Sequence, residues 1–358
     1  LPVLENDSDS DGDLLTASVA SQPAGVSVVP VRGGEALSMP LPEDASGSMS
    51  FTYTADDGRS GTDSARVRVN VVPDSEENAP VQKRKPVITI AKQGEATYSL
   101  LGDFRDPESD SIYVSGADQP KGLSVRWRPD GVLTVKDLGT EGAGRKEIAV
   151  QVSDGTKTMQ GTIYVQIRDG RLPPVANGDH VTVLKGETTV VSPLANDVDP
   201  MGGQLRLTTV AKATSGQTIS PDYSNGTFSF TSTQTGTVYV AYQVANDSPK
   251  ASTGYVRVDV KEPEKGKPVP GDDLAMLPDS GSVLVNVLAN DTDPAGGVLV
   301  VKSVTVPEES GLAVETLQHN LLRVSAPTGL EGPTDFTYRV SNGPGEATGR
   351  VTVVPLPV

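Results

Sequence analysis

The stretch LANDVDPMGGQL at residues 194–205 recurs along the chain at a nearly constant interval. Its counterparts are LENDSDSDGDLL at 4–15, LGDFRDPESDSI at 101–112 and LANDTDPAGGVL at 288–299. The equivalent positions are separated by 97, 93 and 94 residues and are Asn6, Asp103, Asn196 and Asn290. A fixed period of this length indicates tandem copies of one structural unit, so the sequence predicts four repeats of about 95 residues.

A second motif keeps the same spacing. It occurs as FTYTADDG at 51–58, IAVQVSDG at 148–155, VAYQVAND at 240–247 and FTYRVSNG at 336–343. Proline-rich polar stretches separate the units, at 73–87, 168–179 and 261–273. These stretches place the repeat boundaries at 1–73, 74–170, 171–263 and 264–358, called repeats 1 to 4 below. Because the linkers are short and rich in proline, we expect neighbouring repeats to hold a restricted orientation.

Hydrophobic alternation within the repeats predicts β-strands. Val256, Val258 and Val260 fall on one face, and Arg257 and Asp259 fall on the opposite, polar face. In repeat 3 the pattern predicts strands near 180–185, 188–195, 204–212, 216–220, 226–231, 237–245 and 253–261. Seven short strands in one repeat are typical of an antiparallel Greek-key β-sandwich, so we expect an all-β chain with very little helix.

Repeat 1 is shorter than the others at its beginning. The first motif lies 23 residues after Pro173 in repeat 3, but Asn6 is only the sixth residue of the chain. We therefore expect repeat 1 to lack its first strand and the chain to begin inside a domain of a longer protein.

Composition excludes several function classes. With 30 basic and 46 acidic side chains the net charge is −16, which makes nucleic acids and anionic membranes poor partners. No apolar run reaches the roughly 18 residues of a membrane span. The chain has no cysteine and only two histidines, His180 and His319, which we interpret as exposed and unpartnered. Since no catalytic constellation can be assembled from them, we predict that the chain is not an enzyme.

The two motifs, followed by an alternating strand and a Pro-Val linker, resemble the bacterial cadherin-like and immunoglobulin-like tandem repeats of large surface adhesins. The resemblance covers the whole chain and is looser in repeat 2, where Val150 replaces the tyrosine and Phe104 follows Asp103. It implies extracellular stalks or adhesive rods, sometimes stiffened by calcium. Fibronectin type III modules share the sandwich, and the sequence pattern alone does not separate them.

On this basis we predict a non-catalytic extracellular stalk or adhesion segment of a large bacterial surface protein. It would form a monomeric rod, present a binding region to a protein or glycan on another surface, and be anchored to the cell envelope through regions outside this chain. The alternative is a receptor-like binding module for a host protein or glycan. An accessory region of an enzyme is a third interpretation.

The acidic loops are the candidate site. In a sandwich, the N-D-x-D loop after the second strand and the turn between the sixth and seventh strands lie at the end where the linker enters. Carboxylate and amide oxygens gathered there are the ligands that calcium prefers, so calcium is a possible cofactor. The candidate metal ligands are Asp7, Asp9, Asp11, Asp13, Asp179, Asp197, Asp199, Asp272, Asp273, Asp291 and Asp293.

A simpler interpretation competes with calcium. Asn and Asp favour turns because their side chains accept hydrogen bonds from nearby backbone, and asparagine should then replace Asp197 and Asp199 at little cost. Two acids of repeat 1 are absent from the equivalent segments 201–203 and 295–297. Basic linker residues could also neutralise the carboxylates without an ion. They are Lys83, Arg84, Lys85, Arg168, Arg171, Lys265 and Lys267.

Overall fold

The structure is a computed structural model. It describes residues 1–42, 45–71, 78–108, 110–263, 266–278, 281–293, 297–330 and 332–356, so Lys265 and residues 295–296 lie outside the described part. Apart from three short 3-10 turns at Arg32–Gly34, Leu101–Asp103 and Glu308–Ser310, the regular elements in these ranges are all β-strands. Within them, no helix has the length and apolarity needed to cross a membrane. The all-β prediction is confirmed.

The first two repeats contain fourteen of the strands. In repeat 1 they are β1 Thr16–Ser21, β2 Val29–Val31, β3 Ala36–Ser38, β4 Gly47–Asp56 and β5 Thr62–Val71. In repeat 2 they are β6 Val81–Gln82, β7 Val87–Ala91, β8 Glu95–Ser99, β9 Phe104–Arg105, β10 Tyr113–Ala117, β11 Leu123–Trp127, β12 Val132–Asp137, β13 Gly144–Ser153 and β14 Thr158–Arg168.

Among the described residues, the last two repeats contain seven strands each. In repeat 3 they are β15 Asp179–Leu184, β16 Thr189–Val191, β17 Arg206–Val210, β18 Gln217–Asp222, β19 Thr227–Ser232, β20 Gly236–Ala245 and β21 Ser252–Lys261. In repeat 4 they are β22 Asp273–Leu277, β23 Ser282–Asn286, β24 Val300–Thr305, β25 Ala313–Thr316, β26 Leu321–Ser325, β27 Thr334–Ser341 and β28 Glu346–Pro355. The seven strands predicted for repeat 3 are thus all present.

Repeats 2, 3 and 4 share one topology. In repeat 3 a four-stranded sheet has the order β15-β21-β20-β17, and a three-stranded sheet has the order β16-β19-β18. Repeats 2 and 4 repeat it as β7-β14-β13-β10 with β8-β12-β11, and β22-β28-β27-β24 with β23-β26-β25. The pairs are antiparallel except that β7, β15 and β22 run parallel to the last strand of their repeat. This is an immunoglobulin-like sandwich, as predicted.

Repeat 1 lacks part of this sandwich. Its sheets are β1-β4-β5 and β2-β3, and no strand in the described residues pairs with the outer edge of β5. The Leu1 amino group donates to Leu37 O of β3 at 2.7 Å. This bond is a remnant of the pairing that the second strand makes in the other repeats. Val67 and Val69 of β5 are therefore only half-buried. The equivalent Ile163 and Val165 of β14 are fully buried.

Each repeat has a core of its own, built from alternate strand residues. In repeat 3 the valines Val256, Val258 and Val260 are 0–3% exposed and pack against Phe228 and Phe230 of the facing sheet. Alternate side chains of a strand point to opposite faces, so the valines enter the core and the charged residues between them face outward.

Repeats 1 and 3, which are not neighbours in the chain, are in direct contact. Arg257 of β21 donates to Asp56 O of repeat 1 at 2.8 Å and to Thr16 Oγ1 at 3.0 Å. A straight rod of four repeats would keep these two apart, so the structure differs from the rod expectation here. Arg257 and Asp259 do face away from their own core, but repeat 1 covers them, and they are only 2% and 7% exposed.

Candidate functional site

The acidic loop and the sixth-to-seventh strand turn both meet the entering linker in repeat 3. The linker pairs with the loop through an isolated bridge between Val175 and Val198. Asn196 Nδ2 donates to Gly178 O at 3.0 Å, and Asn246 Nδ2 donates to Leu172 O at 3.0 Å. Repeat 4 has the same bridge, between Val269 and Thr292. The predicted convergence of loop, turn and linker is therefore present in both repeats.

The first aspartate of the N-D-x-D motif is held by the tyrosine of the second motif. Tyr242 Oη lies 3.0 Å from Asp197 Oδ1, which also accepts the Asn177 backbone N–H at 2.8 Å. In repeat 4, Asp291 Oδ1 lies 2.9 Å from Tyr338 Oη and in repeat 1, Asp7 Oδ2 lies 2.7 Å from Tyr53 Oη. This carboxylate therefore ties the loop to the sixth strand.

The second aspartate of the motif organises its own turn. Asp199, 8% exposed, accepts the Met201 N–H at 3.0 Å on Oδ1 and the Gly203 N–H at 2.9 Å on Oδ2. Asn246 Nδ2 donates to Asp199 Oδ1 at 2.6 Å. In repeat 1, Asp9 Oδ1 likewise accepts the N–H groups of Asp11 and Asp13, at 2.8 and 3.1 Å. These contacts are those of the turn interpretation. Because both oxygens of Asp199 accept, we expect Asp199→Asn to cost more than the turn interpretation by itself predicts.

The remaining candidate metal ligands differ in their surroundings. Asp11 is exposed, Asp13 lies 3.3 Å from Arg59, and Asp272 lies 3.5 Å from Arg350. Asp179 and Asp273 open the first strands of their repeats. Asp293 accepts a hydrogen bond from Asn342 Nδ2 at 2.8 Å, as Asp199 does from Asn246.

Two carboxyl pairs have shifted pKa values. Burial, followed by the charge of Asp197, raises the pKa of Asp179 to about 7. Burial, followed by the charge of Asp291, raises the pKa of Asp273 to about 7, and burial raises that of Asp291 to about 6. A proton on one member of each pair relieves the repulsion between them.

The fit to calcium is poor in the described residues. Calcium takes six to eight oxygen ligands. Across the described ranges, no group of three or more His, Cys, Asp or Glu side chains is arranged to hold a metal ion. The oxygens of Asp197 and Asp199 already accept hydrogen bonds from the protein. Calcium binding remains a prediction.

Basic linker residues act as counter-charges in repeat 2. Arg84 Nε donates to Asp103 Oδ1, and Tyr98 Oη lies 2.7 Å from Asp103 Oδ2. Asp103 is completely buried, and the neighbouring Lys83 forms an ion pair with Glu5 of repeat 1. In repeat 3 the linker Arg171 instead donates to the Asp247 carbonyl, at 3.3 Å.

Gly202, which is equivalent to Gly12 of repeat 1, has a packing role in the repeat 3 loop. Gly202 has φ +75°, and a Cβ on it would lie 3.0 Å from the backbone nitrogen of Glu95 in repeat 2. Next to it, Pro200 O accepts the Ala91 N–H of repeat 2 at 2.7 Å. Only a residue without a side chain allows this approach. The loop thus joins repeat 3 to repeat 2.

A buried polar cluster on the outer face of β15 and β21 was not predicted from the sequence. His180, predicted to be exposed, has a side chain only 7% exposed, with Nε2 2.9 Å from Asp259 Oδ2 and Nδ1 3.5 Å from Glu35 Oε1. The prediction failed because repeat 1 covers this face. One feature of the sequence could have indicated this cluster. Arg257 and Asp259 lie two residues apart in β21, the strand that pairs in parallel with the strand of His180. His319 is exposed, as predicted.

Comparison with known proteins identifies the domains. The model of the bacterial Ig domain (Big_9) matches residues 1–70, 171–259 and 265–354, more than half of the chain. No curated protein matches.

The solved structures that match this chain include three kinds of protein. The human desmocollin-1 ectodomain is 11% identical, covers 97% of this chain and 73% of its own, and has a TM-score of 0.22. The four N-terminal Ig domains of Dscam1 isoform 1.9 are 12% identical, with 97% and 92% covered and a TM-score of 0.28. The endo-fucoidan hydrolase MfFcnA4 is 16% identical, with 78% and 44% covered and a TM-score of 0.23, so this chain spans less than half its length.

At these TM-scores none of the solved structures indicates a function for this chain. The three family matches carry the assignment, and they agree with the sandwich topology described above. The chain belongs to the bacterial Ig domain family.

Proposed function

We propose that this chain is a non-catalytic spacer in the extracellular part of a large bacterial surface protein, where it extends and presents a binding region. Bacterial Ig domains are common in surface and secreted proteins. The single observation that supports a spacer is the built junction between repeats 2 and 3. There the loop around Gly202 packs on Glu95, and Pro200 O bonds to Ala91.

A junction of this kind would fix the orientation of repeat 3 relative to repeat 2. The linker is bridged to the loop at Val175 and Val198, and the loop is hydrogen-bonded to repeat 2. The entry angle of repeat 3 is therefore set by backbone contacts on both sides. Such a spacer would hold a protein-binding or glycan-binding region at a distance from the cell, with the ligand contacted on another surface.

The spacer proposal can be tested with the chain placed between a surface anchor and a fluorescent reporter. A ten-residue strand such as β20 is roughly 33 Å long at ~3.3 Å per residue, so duplicating repeat 3 should raise the reporter by roughly that amount. The height can be measured by distance-dependent quenching at a metal surface. An unchanged height would contradict the proposal.

Two variants sharpen this test. Gly202→Val should broaden the distribution of heights, because its side chain would clash with Glu95. Gly142→Val is the matched control, since a Cβ there meets open space. Hydrolysis of a glycan or peptide by this chain, lost in a point variant, would contradict the non-catalytic part of the proposal.

A further inference from the structure

We propose that the outer face of β15, β20 and β21 in repeat 3 is a docking surface for repeat 1, and that this contact holds the chain in a folded-back form which lengthens when the contact opens. We call this surface, formed by His180, Tyr239, Arg257 and Asp259, the latch face. The contact itself does not depend on the proposed function, but its consequence for reach rests on the spacer role.

Arg257 is the centre of the latch face. Its side chain is 2% exposed although it faces away from its own core. Nη1 donates to Leu14 O and to Asp56 O, the latter at 2.8 Å. Nη2 donates to Thr16 Oγ1 at 3.0 Å and Asp56 Oδ1 at 3.2 Å. With Nε bonded to Asp259, all five N–H groups are used, and four of them go to repeat 1.

Residues of repeat 3 hold Arg257 in this position. Asp259 Oδ1 lies 3.1 Å from Arg257 Nε and accepts the Thr237 hydroxyl at 2.6 Å. Asp259 Oδ2 lies 2.9 Å from His180 Nε2. A guanidinium oriented this way presents a fixed set of donors, so less side-chain freedom is lost when repeat 1 binds.

Repeat 1 approaches the latch face closely along two of its turns. A Cβ on Gly58 would lie 2.4 Å from Thr237 Cγ2, and one on Gly33 would lie 2.6 Å from His180 Cε1. Tyr239 Oη donates to Asp57 O at 2.9 Å, and the Arg59 guanidinium lies 4.2 Å from the Tyr239 ring centroid. The contact is thus packed as well as hydrogen-bonded.

In the part of the chain that the structure describes, no other repeat has a buried arginine at the position of Arg257. Strand register places Tyr164 of repeat 2 and Thr352 of repeat 4 at the position of Arg257. Neither can present five donors to the backbone of repeat 1. Repeat 1 has an arginine at this position, Arg68, but it is exposed. In the described residues, repeat 3 is therefore the repeat that presents a buried arginine at this position to repeat 1.

The absence of native cysteine allows a direct test. Ser27→Cys and Ser215→Cys place a donor and an acceptor fluorophore in exposed loops of repeats 1 and 3. We expect high energy transfer in the parent chain and a fall of at least half in Arg257→Ala. Arg68→Ala, the matched control at the equivalent position, should keep the parent value.

A variant in repeat 1 guards against unfolding of repeat 3. Thr16→Lys leaves repeat 3 unchanged and opposes Arg257 with a like charge, so it should lower the energy transfer as Arg257→Ala does. Circular dichroism checks that each variant keeps its strands. Low transfer in the parent, or transfer unchanged in Thr16→Lys, would overturn the proposal.

The partner in the contact is also tested. Chains carrying one fluorophore each, mixed at rising concentration, should show no transfer if repeat 1 docks within its own chain. Transfer that appears with concentration and disappears on dilution would assign the latch face to a second copy and overturn the folded-back form. Failure of the spacer experiment in Arg257→Ala, where the contact is open, would count against the proposed function alone.

Discussion

Repeats 2 and 3 have the same sandwich but hold their acidic loops with different residues. In repeat 3, Tyr242 of the sixth strand packs its ring over Gly254 and donates its hydroxyl to Asp197. In repeat 2, Val150 replaces this tyrosine, the Phe104 ring covers the equivalent Gly161, and Tyr98 of β8 bonds to Asp103. Both repeats therefore have an aromatic ring over the glycine and a tyrosine hydroxyl bonded to the carboxylate. In repeat 3, Tyr242 supplies both groups, whereas in repeat 2 Phe104 supplies the ring and Tyr98 supplies the hydroxyl.

This exchange accompanies the divergence of repeat 2 from the other repeats. The family model matches the ranges of repeats 1, 3 and 4 and not that of repeat 2. Its strand order is nevertheless the same as theirs. The comparison teaches that the junction depends on where a ring and a carboxylate are placed in space, and that the strand supplying them can change.

The largest expected effect tests whether the two rings are equivalent. A Cβ on Gly161 would lie 2.5 Å from Phe104, and one on Gly254 would lie 2.4 Å from Tyr242. Gly161→Val and Gly254→Val should therefore each lower the free energy of unfolding by about 3 kcal/mol, the upper range for overpacking a core. Gly142→Val, in open space, should have little effect. Thermal unfolding measures the difference, and tolerance of valine at Gly161 alone would break the comparison.

A smaller effect separates the second aspartates of the two loops. Asp199 accepts on both oxygens, so Asp199→Asn should cost on the order of 2 kcal/mol by leaving a buried donor unpaired. In repeat 2, Asp106 accepts the Glu108 and Asp110 N–H groups on Oδ1, while Oδ2 is buried without a hydrogen bond among the described residues. The residue equivalent to Asn246 there is Asp154, which has no side-chain N–H to donate.

Asp106→Asn should therefore cost less than Asp199→Asn, and denaturant unfolding can compare the two. The same samples test calcium. An ion that binds only the native state adds about 2.7 kcal/mol at a hundredfold excess over Kd. We expect melting to be nearly the same in calcium and in chelator for the parent. A rise of many degrees in calcium, lost in either variant, would show that the loops are metal sites.

The smallest effect concerns protonation. Asp179 has a folded-state pKa of about 7, above its ordinary value of 3.8, so the folded state binds this proton more tightly than the unfolded state. The ionised carboxylate therefore destabilises repeat 3 at pH 8, and the penalty disappears as the pH falls below about 4. Asp179→Asn should raise stability at pH 8 by on the order of 1 kcal/mol, allowing for partial exposure.

The gain from Asp179→Asn should shrink to zero near pH 4, which pH-dependent thermal unfolding can follow. Asp273→Asn in repeat 4 should behave alike, because burial beside Asp291 raises the pKa of Asp273 to about 7 as well. Repeat 2 has Pro86 at this position, so it has no carboxylate to substitute. A stabilisation that is the same at pH 4 and pH 8 would contradict the protonation argument.

The local pattern was enough to predict the strands and the convergence of the loops. Alternation has a period of two, so Val256, Val258 and Val260 could be placed in a core without knowing their partners. The repeat period then extended this strand assignment to the other repeats. The loops could be placed at the linker end because strand order determines which end each turn occupies.

The role of each aspartate was beyond the sequence pattern. Asp197 and Asp199 are two residues apart and look alike in the motif, yet one bonds to a tyrosine and the other to its own turn. Gly202 occupies the glycine position of the motif, as Gly12 does, and is also a point of close approach to repeat 2. Each of these outcomes depends on neighbours that are distant in sequence.

The sequence by itself determined the four repeats and their all-β sandwiches, because these depend on local periodicity. Only the tertiary structure decided the fate of the outward-facing residues His180, Arg257 and Asp259. Alternation says which face a side chain occupies and not what covers that face. Here the cover is repeat 1, and its carbonyl groups turn a surface arginine into a buried one.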